Sequence, residues 1–316
     1  MIKHTTLSVQ YRTILFVLMF NISTQGNAAD VVQLPPVNLG ETAFLDGIAF
    51  PGLLLQINGG HFHGDSFNDS DGDALPGNNE IDVNSLLLQY AYITRHKILG
   101  GYYGAEVLLP VADIEPDTSL PGLPSTGESG VGDLIVSPLF LQWTDSELFG
   151  KSYFHRLNFL VVLPTGNYSA ANEVNIGSNI YRFNPYYAGT LLLTPKLATS
   201  FRMNYLWNSE NTNPDIRLGV DDIQAGSAFH INYAASYQVM PKLRIGLAGY
   251  YLQQLNDDKI NGISQANSQE RVFSIGPGLQ YKHSGGLFDF NTYFEFGAEN
   301  RPEGYRIVAR YSWILP

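Results

Sequence analysis

Apolar and polar positions alternate along most of the chain, most regularly in Ala225–Gln254. From Phe229 to Val239 one parity reads Phe229, Ile231, Tyr233, Ala235, Tyr237 and Val239. The other reads Ala228, His230, Asn232, Ala234, Ser236 and Gln238. A strand sends successive side chains to opposite faces, so this stretch is a sheet with one apolar and one polar surface. Met240–Pro241–Lys242 turns the chain, and Leu243, Ile245, Leu247 and Tyr251 resume the apolar parity. The result is a long antiparallel hairpin. Strands of soluble proteins usually run about five or six residues, whereas about ten tilted residues cross a hydrocarbon layer. These strands have the second length.

Period-two runs and their breakers predict strands at 52–62, 83–95, 100–111, 131–144, 152–164, 181–194, 197–208, 224–239, 242–256, 270–282, 286–298 and 304–315. The connections alternate between long and short, beginning with 63–82, 96–99 and 112–130. An even strand count with that alternation is the pattern of an outer-membrane barrel, with short turns and both termini in the periplasm. The expected fold is therefore all-β: a transmembrane antiparallel up-and-down β-barrel of about 12 strands in one domain, 52–316. Pro277, flanked by Gly276 and Gly278 and unable to donate to a ladder, is expected to mark a bulge. The aromatic residue nearest the C-terminus is Trp313, in Trp313–Ile314–Leu315–Pro316.

The first residues place the barrel. Lys3, His4 and Arg12 precede the apolar run Thr13–Ile22 and the small residues of Ser23–Ala29. This order is that of a secretory signal peptide, 1–29, cleaved after Ala28 or Ala29. No later stretch reaches about 18 unbroken apolar residues, so an exported chain of this kind enters a membrane as a barrel. Losing Lys3 and Arg12 leaves 16 basic against 29 acidic side chains, a net charge of −13. That balance argues against nucleic acid as a partner. The absence of cysteine removes disulfides, thiolate metal sites and cysteine nucleophiles. The 19 tyrosines and 18 phenylalanines suit aromatic girdles at the membrane interfaces.

Several short stretches, taken in order, resemble a known family. They are Lys97–Gly101, Gly130–Leu134, Leu163–Tyr168, Asn175–Gly177, Gly249–Leu255, Ile275–Pro277 and Arg301–Gly304. Together they are similar to the family named for the meta-cleavage pathway of phenol degradation, over roughly Leu34 to Leu315. The resemblance implies a Gram-negative outer-membrane barrel that admits hydrophobic aromatic compounds.

The inward parity offers Glu106, Arg156, Arg202, Asn204, His230, Asn232, Arg244, Asp289, Glu295, Arg306 and Arg310 as lumen-facing candidates, with Tyr250, Tyr293 and Leu206 as lining residues. Such a set forms either a polar path or a hydrogen-bonded interior holding the barrel rigid, since buried charges must be paired. Residues 30–51 hold Pro35, Pro36, Gly40, Gly47 and Pro51 among Leu45, Ile48 and Phe50 and cannot add a regular strand. They are either a periplasmic leader or a lumenal hatch. Asp69, Asp71, Asp73 and Glu80 occupy positions 1, 3, 5 and 12 of a calcium-loop spacing, but Ala74 replaces the turn glycine. A solvated acidic loop is the competing reading. Asp113, Glu115, Asp117, Glu128, Glu210, Asp215, Asp221, Asp222, Asp257 and Asp258 make the long loops acidic. Such loops disfavour anionic solutes and bridge lipopolysaccharide phosphates through divalent cations, or serve solubility alone.

No catalytic set stands out. Ser200 or Ser236 beside His230 is the nearest approach to a nucleophile with its base, and no Gly-x-Ser-x-Gly elbow occurs after the leader. No cofactor motif is present. The expected function is passive outer-membrane uptake of small hydrophobic, aromatic compounds. The expected partners are outer-membrane lipid, lipopolysaccharide, the barrel assembly machinery and the solutes. Two alternatives stay open: a general porin for small polar solutes, and a non-conducting envelope or adhesion scaffold.

Overall fold

A computed structural model describes Val32–Leu315; the signal-peptide reading of 1–29 lies outside the described residues. Twelve long strands follow one another: β1 (Gly52–Phe67), β2 (Asn79–Ile98), β3 (Gly101–Thr118), β4 (Leu134–Leu148), β5 (Lys151–Leu163), β6 (Arg182–Leu192), β7 (Leu197–Asn208), β8 (Ala228–Met240), β9 (Leu243–Gln254), β10 (Arg271–His283), β11 (Gly286–Glu299) and β12 (Pro302–Leu315). Each pairs antiparallel with its neighbour, and β1 pairs with β12 from Leu53↔Leu315 to Phe67↔Pro302. The sheet is closed, so it leaves no open edge, which is what a hydrocarbon surround demands of a β structure.

The outer face carries the apolar parity. Leu88, Tyr90, Val107, Met203, Tyr205, Ile245, Leu247, Phe273, Ile275 and Phe294 are all exposed there. An exposed band this large and continuous is a lipid-facing surface. Two-residue turns close four of the hairpins at one end: 99–100, 149–150, 241–242 and 284–285; the four residues 193–196 close the fifth. At the other end lie the long loops. A strand of Glu128–Val131 extends the sheet on β3, and the pairs Ile223–Gln224, Lys259–Ile260 and Ile263–Ser264 tie two loops together.

Local chemistry shapes the wall. The register slips by one residue where Ser137, Pro138 and Leu139 of β4 face β3 and β5, so the bulge falls at Pro138. Pro277 is not a bulge. It pairs in register with Leu247, and Ile275↔Phe294 and Gly278↔Asn291 keep one register across it. With glycines on both sides, the ring fits the pleat and the ladder forgoes one donor. At Gly104 the missing side chain admits the Phe140 ring, which an added Cβ would meet at 2.2 Å.

Residues 32–51 run inside the barrel. Leu34 is held by Glu270 at the long-loop end and Gly47 by Thr190 toward the short turns, from which β1 then departs. This strap and the wall of β7–β12 form the main buried cluster, with Leu39, Phe44, Leu206, Tyr250, Leu252 and Tyr293 at its centre.

Candidate solute path

The strap's prolines and glycines keep it out of the sheet, so its backbone groups need side-chain partners. The wall supplies them in sequence order. The Leu34 amide donates to Glu270 Oε1 at 2.6 Å, and Arg182 donates to the Pro36 carbonyl at 2.8 Å. Asn232 accepts from the Gly40 amide at 2.8 Å and donates to the Asn38 carbonyl at 3.0 Å. The Tyr293 hydroxyl donates to the Gly40 carbonyl at 2.8 Å, and Arg310 donates to the Glu41 carbonyl at 3.0 Å. Ser200 and Thr190 take the Leu45 and Gly47 amides, and Gln142 donates to the Gly47 carbonyl. The contact is close enough that glycine is required: a Cβ on Gly40, where φ is +80°, would lie 2.7 Å from the Tyr293 ring.

One ionic clasp fastens the lower end. Arg202 Nε and Nη2 reach the Asp46 carboxylate at 2.8 and 2.7 Å, and Arg156 Nη2 lies 3.6 Å from it while donating to the Asp46 carbonyl. Both guanidiniums also lie over the Tyr186 ring, at 4.1 and 5.7 Å from its centroid. At the upper end Glu270 also pairs with Arg301 at 3.3 Å. Burial pushes its carboxyl up to about 7, against the lowering pull of Arg301 and the Leu34 amide.

Apart from its lower end, where Gln142 of β4 and Arg156 of β5 hold it, the strap leaves the inner face of β1–β5 uncovered, and that face is mostly apolar. A cavity of about 1440 Å³ lies between them. Leu54, Phe62, Val83, Leu87, Ala91, Leu108, Ala112, Ile135 and Leu160 line it from the wall, and Val37, Phe44, Leu45 and Ile48 from the strap. Its lining extends from Tyr168 and Asn172 among the loops to Lys242 and Lys282 beside the short turns. Glu106 is the carboxylate of the apolar side. It accepts from Gln89 at 2.5 Å and Asn158 at 2.6 Å, and Asn158 in turn donates to the Tyr186 hydroxyl.

The candidates read from the sequence all sit on the inward parity but divide three ways. Arg156, Arg202 and Arg310 hold the strap, and Arg310 also pairs with Asp289 at 3.2 Å. Tyr250 and Tyr293 do not line the open space: the strap covers them, and Tyr250 donates to Glu295 at 2.6 Å. His230 is wholly buried beside them. Arg244 caps the short-turn end through the Ser236 and Lys196 carbonyls, and Arg306 lies over Phe62 at 4.9 Å. Leu206 belongs to the same covered cluster and also touches the edge of the cavity.

Asp69 turns its carboxylate onto the amides of Asp71 and Asp73, and Glu80 stands in β2 opposite Asp117. Among the described residues no group of three His, Cys, Asp or Glu side chains is placed to hold a metal. Ser200 is bonded to Thr190 and the Leu45 amide, and Ser236 to Arg244, so neither forms a pair with His230. Two features escaped sequence reasoning: Asp46 as the partner of two arginines, and the apolar inner face of β1–β5. The second left a trace, because β2 is apolar on both parities at Leu86, Leu87 and Leu88.

The loops above the mouth are welded together. Asp133 accepts from the amides of Gly166 and Ser178 and pairs with Arg182 at 3.3 Å. Asn167 links Val131 to Gly177, and Glu173 takes the amides of Ser125 and Thr126 and pairs with Arg217. These hydrogen bonds, together with Arg217, hold the Glu173 carboxyl below the usual range.

A family model described as "Putative MetA-pathway of phenol degradation" matches residues 64–311. The COG4313 outer membrane channel from Pseudomonas putida F1 is similar in structure, with a TM-score of 0.75 at 17% identity, covering 85% of this chain and 97% of that one. The transport unit of the autotransporter AIDA-I from Escherichia coli matches at a TM-score of 0.50 and 10% identity, over 84% and 90% of the two chains. No curated protein sequence matches the chain.

Proposed function

Because the chain belongs to the MetA-pathway phenol-degradation family, we propose that it is an outer-membrane channel for passive uptake of small hydrophobic, aromatic compounds along the uncovered side of its lumen. The observation that carries this reading is the apolar inner face of β1–β5, which the strap leaves bare except where Gln142 and Arg156 hold its lower end. A polar solute entering it exchanges water hydrogen bonds for hydrocarbon, at a cost of about 1–3 kcal/mol per unpaired group. An aromatic solute gains about 25 cal/mol for each Å² it buries. Lipopolysaccharide slows apolar solutes, so such a route is useful to the cell.

The general-porin alternative drew on the inward arginine, aspartate and glutamate side chains. Arg156, Arg202 and Arg310 are engaged with the strap, which leaves the apolar side without a row of free charges. In this reading residues 32–51 are a hatch whose movement widens the path. Lipopolysaccharide lies against the acidic loop end, and the assembly machinery reads the last strand around Trp313. The chain is not an enzyme.

The test is uptake of radiolabelled toluene at sub-saturating concentration by cells with and without the gene. Slower uptake on deletion, restored by the wild-type chain and not by Ala112→Trp, supports the channel. Unchanged uptake on deletion, or full rescue by Ala112→Trp with the barrel folded, refutes it.

A further inference from the structure

The apolar face of the cavity is crossed by a stripe of polar side chains. Asn58 and Gln56 of β1, Gln89 of β2 and Glu106 of β3 all line the cavity. Gln56 stands opposite Gln89, and Gln89 Nε2 donates diagonally to Glu106 Oε2 at 2.5 Å. Leu54, Ala91 and Phe140 flank the stripe toward the short turns, and Leu87, Leu108 and Leu160 flank it toward the long loops.

Glu106 is the unusual member. It is only 8% exposed, yet its partners are two neutral amides, those of Gln89 and Asn158. Arg156 and Arg202 are committed to Asp46, and among the described residues no basic side chain pairs with Glu106. A buried carboxylate with no cation beside it is costly, and each further hydrogen bond it accepts offsets part of that cost. Such a group offers about four lone-pair sites, of which the two amides fill two. On the same stripe Asn58 is 6% exposed, and its side-chain oxygen has no partner. Both residues are short of donors.

We propose that Glu106 is a specificity-determining residue of the path: it accepts a hydrogen bond from the solute, so the channel favours aromatic solutes carrying a hydroxyl or amino donor over hydrocarbons of the same shape. The proposal rests on the uptake reading above. The ring of such a solute lies against Leu87, Leu108 and Phe140, and its donor regains at Glu106 the hydrogen bond it gave up on leaving water. Hydrogen bonds to an ionised acceptor are the stronger kind, so one of them offsets the desolvation of one hydroxyl.

The test compares benzyl alcohol with ethylbenzene, which carries a methyl group in place of the hydroxyl. Both are supplied, radiolabelled and at sub-saturating concentration, to cells lacking the gene and to cells carrying the wild-type chain, Glu106→Gln or Glu106→Leu. Uptake without the gene is subtracted, and heat-dependent gel mobility checks that each barrel is folded. The ratio of alcohol to hydrocarbon uptake is expected to fall about tenfold in Glu106→Leu, the loss of one hydrogen bond to a charged acceptor, and less in Glu106→Gln, which keeps an acceptor oxygen. A ratio unchanged in both folded variants overturns the proposal. That is the result for a residue that only ties β2, β3 and β5 together, because both solutes then slow alike. It leaves the channel itself standing, whereas no gene-dependent uptake of either solute overturns both.

A second readout needs no flux. In the full chain refolded into vesicles, benzyl alcohol is expected to shift a carboxylate stretching band in the infrared difference spectrum. Ethylbenzene should not, and Glu106→Gln should remove the shift. The same spectrum with both solutes, or a shift that survives in Glu106→Gln, overturns the contact.

Discussion

Replacing Asp46 by alanine should release the lower end of the strap and widen the channel. The Asp46 carboxylate receives two hydrogen bonds from Arg202, at 2.8 and 2.7 Å, and lies 3.6 Å from Arg156. All three side chains are nearly buried, so Asp46→Ala leaves two guanidiniums without their carboxylate in a poorly hydrated lumen. Removing one partner of such a buried ion pair typically costs about 3–5 kcal/mol. Undocking the strap relieves that cost by letting water reach the guanidiniums, which shifts the docked–undocked equilibrium toward undocking by a factor of about a hundred to a few thousand. What still holds this end is neutral: the Gly47 bonds to Thr190 and Gln142, each contributing about 1 kcal/mol, and the burial of Phe44 and Leu45. The upper and middle anchors at Glu270, Asn232 and Tyr293 are untouched, so the strap hinges rather than leaves. The assay is single-channel conductance in planar bilayers, together with swelling of liposomes in arabinose. Wild-type channels should be nearly closed to both ions and sugar, and the variant open. The double variant Asp46→Ala/Arg202→Met, with one buried charge fewer, should recover part of the block. Unchanged conductance and swelling in a folded Asp46→Ala barrel would refute the clasp as a determinant of the path.

Three further outcomes follow from local chemistry. Glu270 holds its proton to about 7 when folded, against an ordinary value of 4.5, so it contributes stability that is full below about 4.5 and lost as pH rises through 7. That contribution is about 3 kcal/mol, and Glu270→Gln should flatten the corresponding fall in urea-unfolding stability between about pH 5 and 8. Gly104→Ala places a Cβ 2.2 Å from the Phe140 ring and should lower unfolding stability by about 1–3 kcal/mol, with Phe140→Leu in the same chain restoring part of it. Phe149→Asn suits the left-handed φ of 54° and should raise stability in detergent by about 1 kcal/mol, as read by the thermal midpoint.

The barrel was legible because its rule is geometric. Residues 197–208 and 286–298 alternate strictly, and β7 and β11 occupy Leu197–Asn208 and Gly286–Glu299. The expected strands at 83–95 and 100–111 ended short of β2 and β3, which continue to pair beyond the apolar band through Asp82↔Glu115 and Asn84↔Asp113. Polar pairs keep the ladder without keeping the alternation, so period counting stops where the lipid does. Pro277 misled in the opposite sense. A residue without an N–H is compatible with a bulge, but Pro138 bends the wall and Pro277 does not, and the difference lies in the glycines beside Pro277 rather than in the proline.

The strap was legible only as one of two alternatives, a lumenal hatch or a periplasmic leader, and its anchors were not legible at all, for a reason that also explains the site. Its partners stand far off in the chain, Asn232 at 192 positions from Gly40 and Tyr293 at 253, and no local period encodes them. A chain segment that cannot join a sheet still carries a donor and an acceptor at nearly every residue, and in a lumen these must be met by side chains. Asn232, Ser200, Thr190, Arg182, Arg310 and Tyr293 are such side chains on β6–β12, joined at the lower end by Gln142 of β4 and Arg156 of β5. The side chains that meet the strap's backbone therefore mark where it lies, with Leu206, Leu252 and Val272 packed beneath it, while the polar groups Gln89, Glu106 and Asn158 of the uncovered side bond to one another. Read in that order, the inward arginines belong to the strap's anchorage, and the solute path is the face on which the sequence places Val83, Leu87, Leu108 and Ala112.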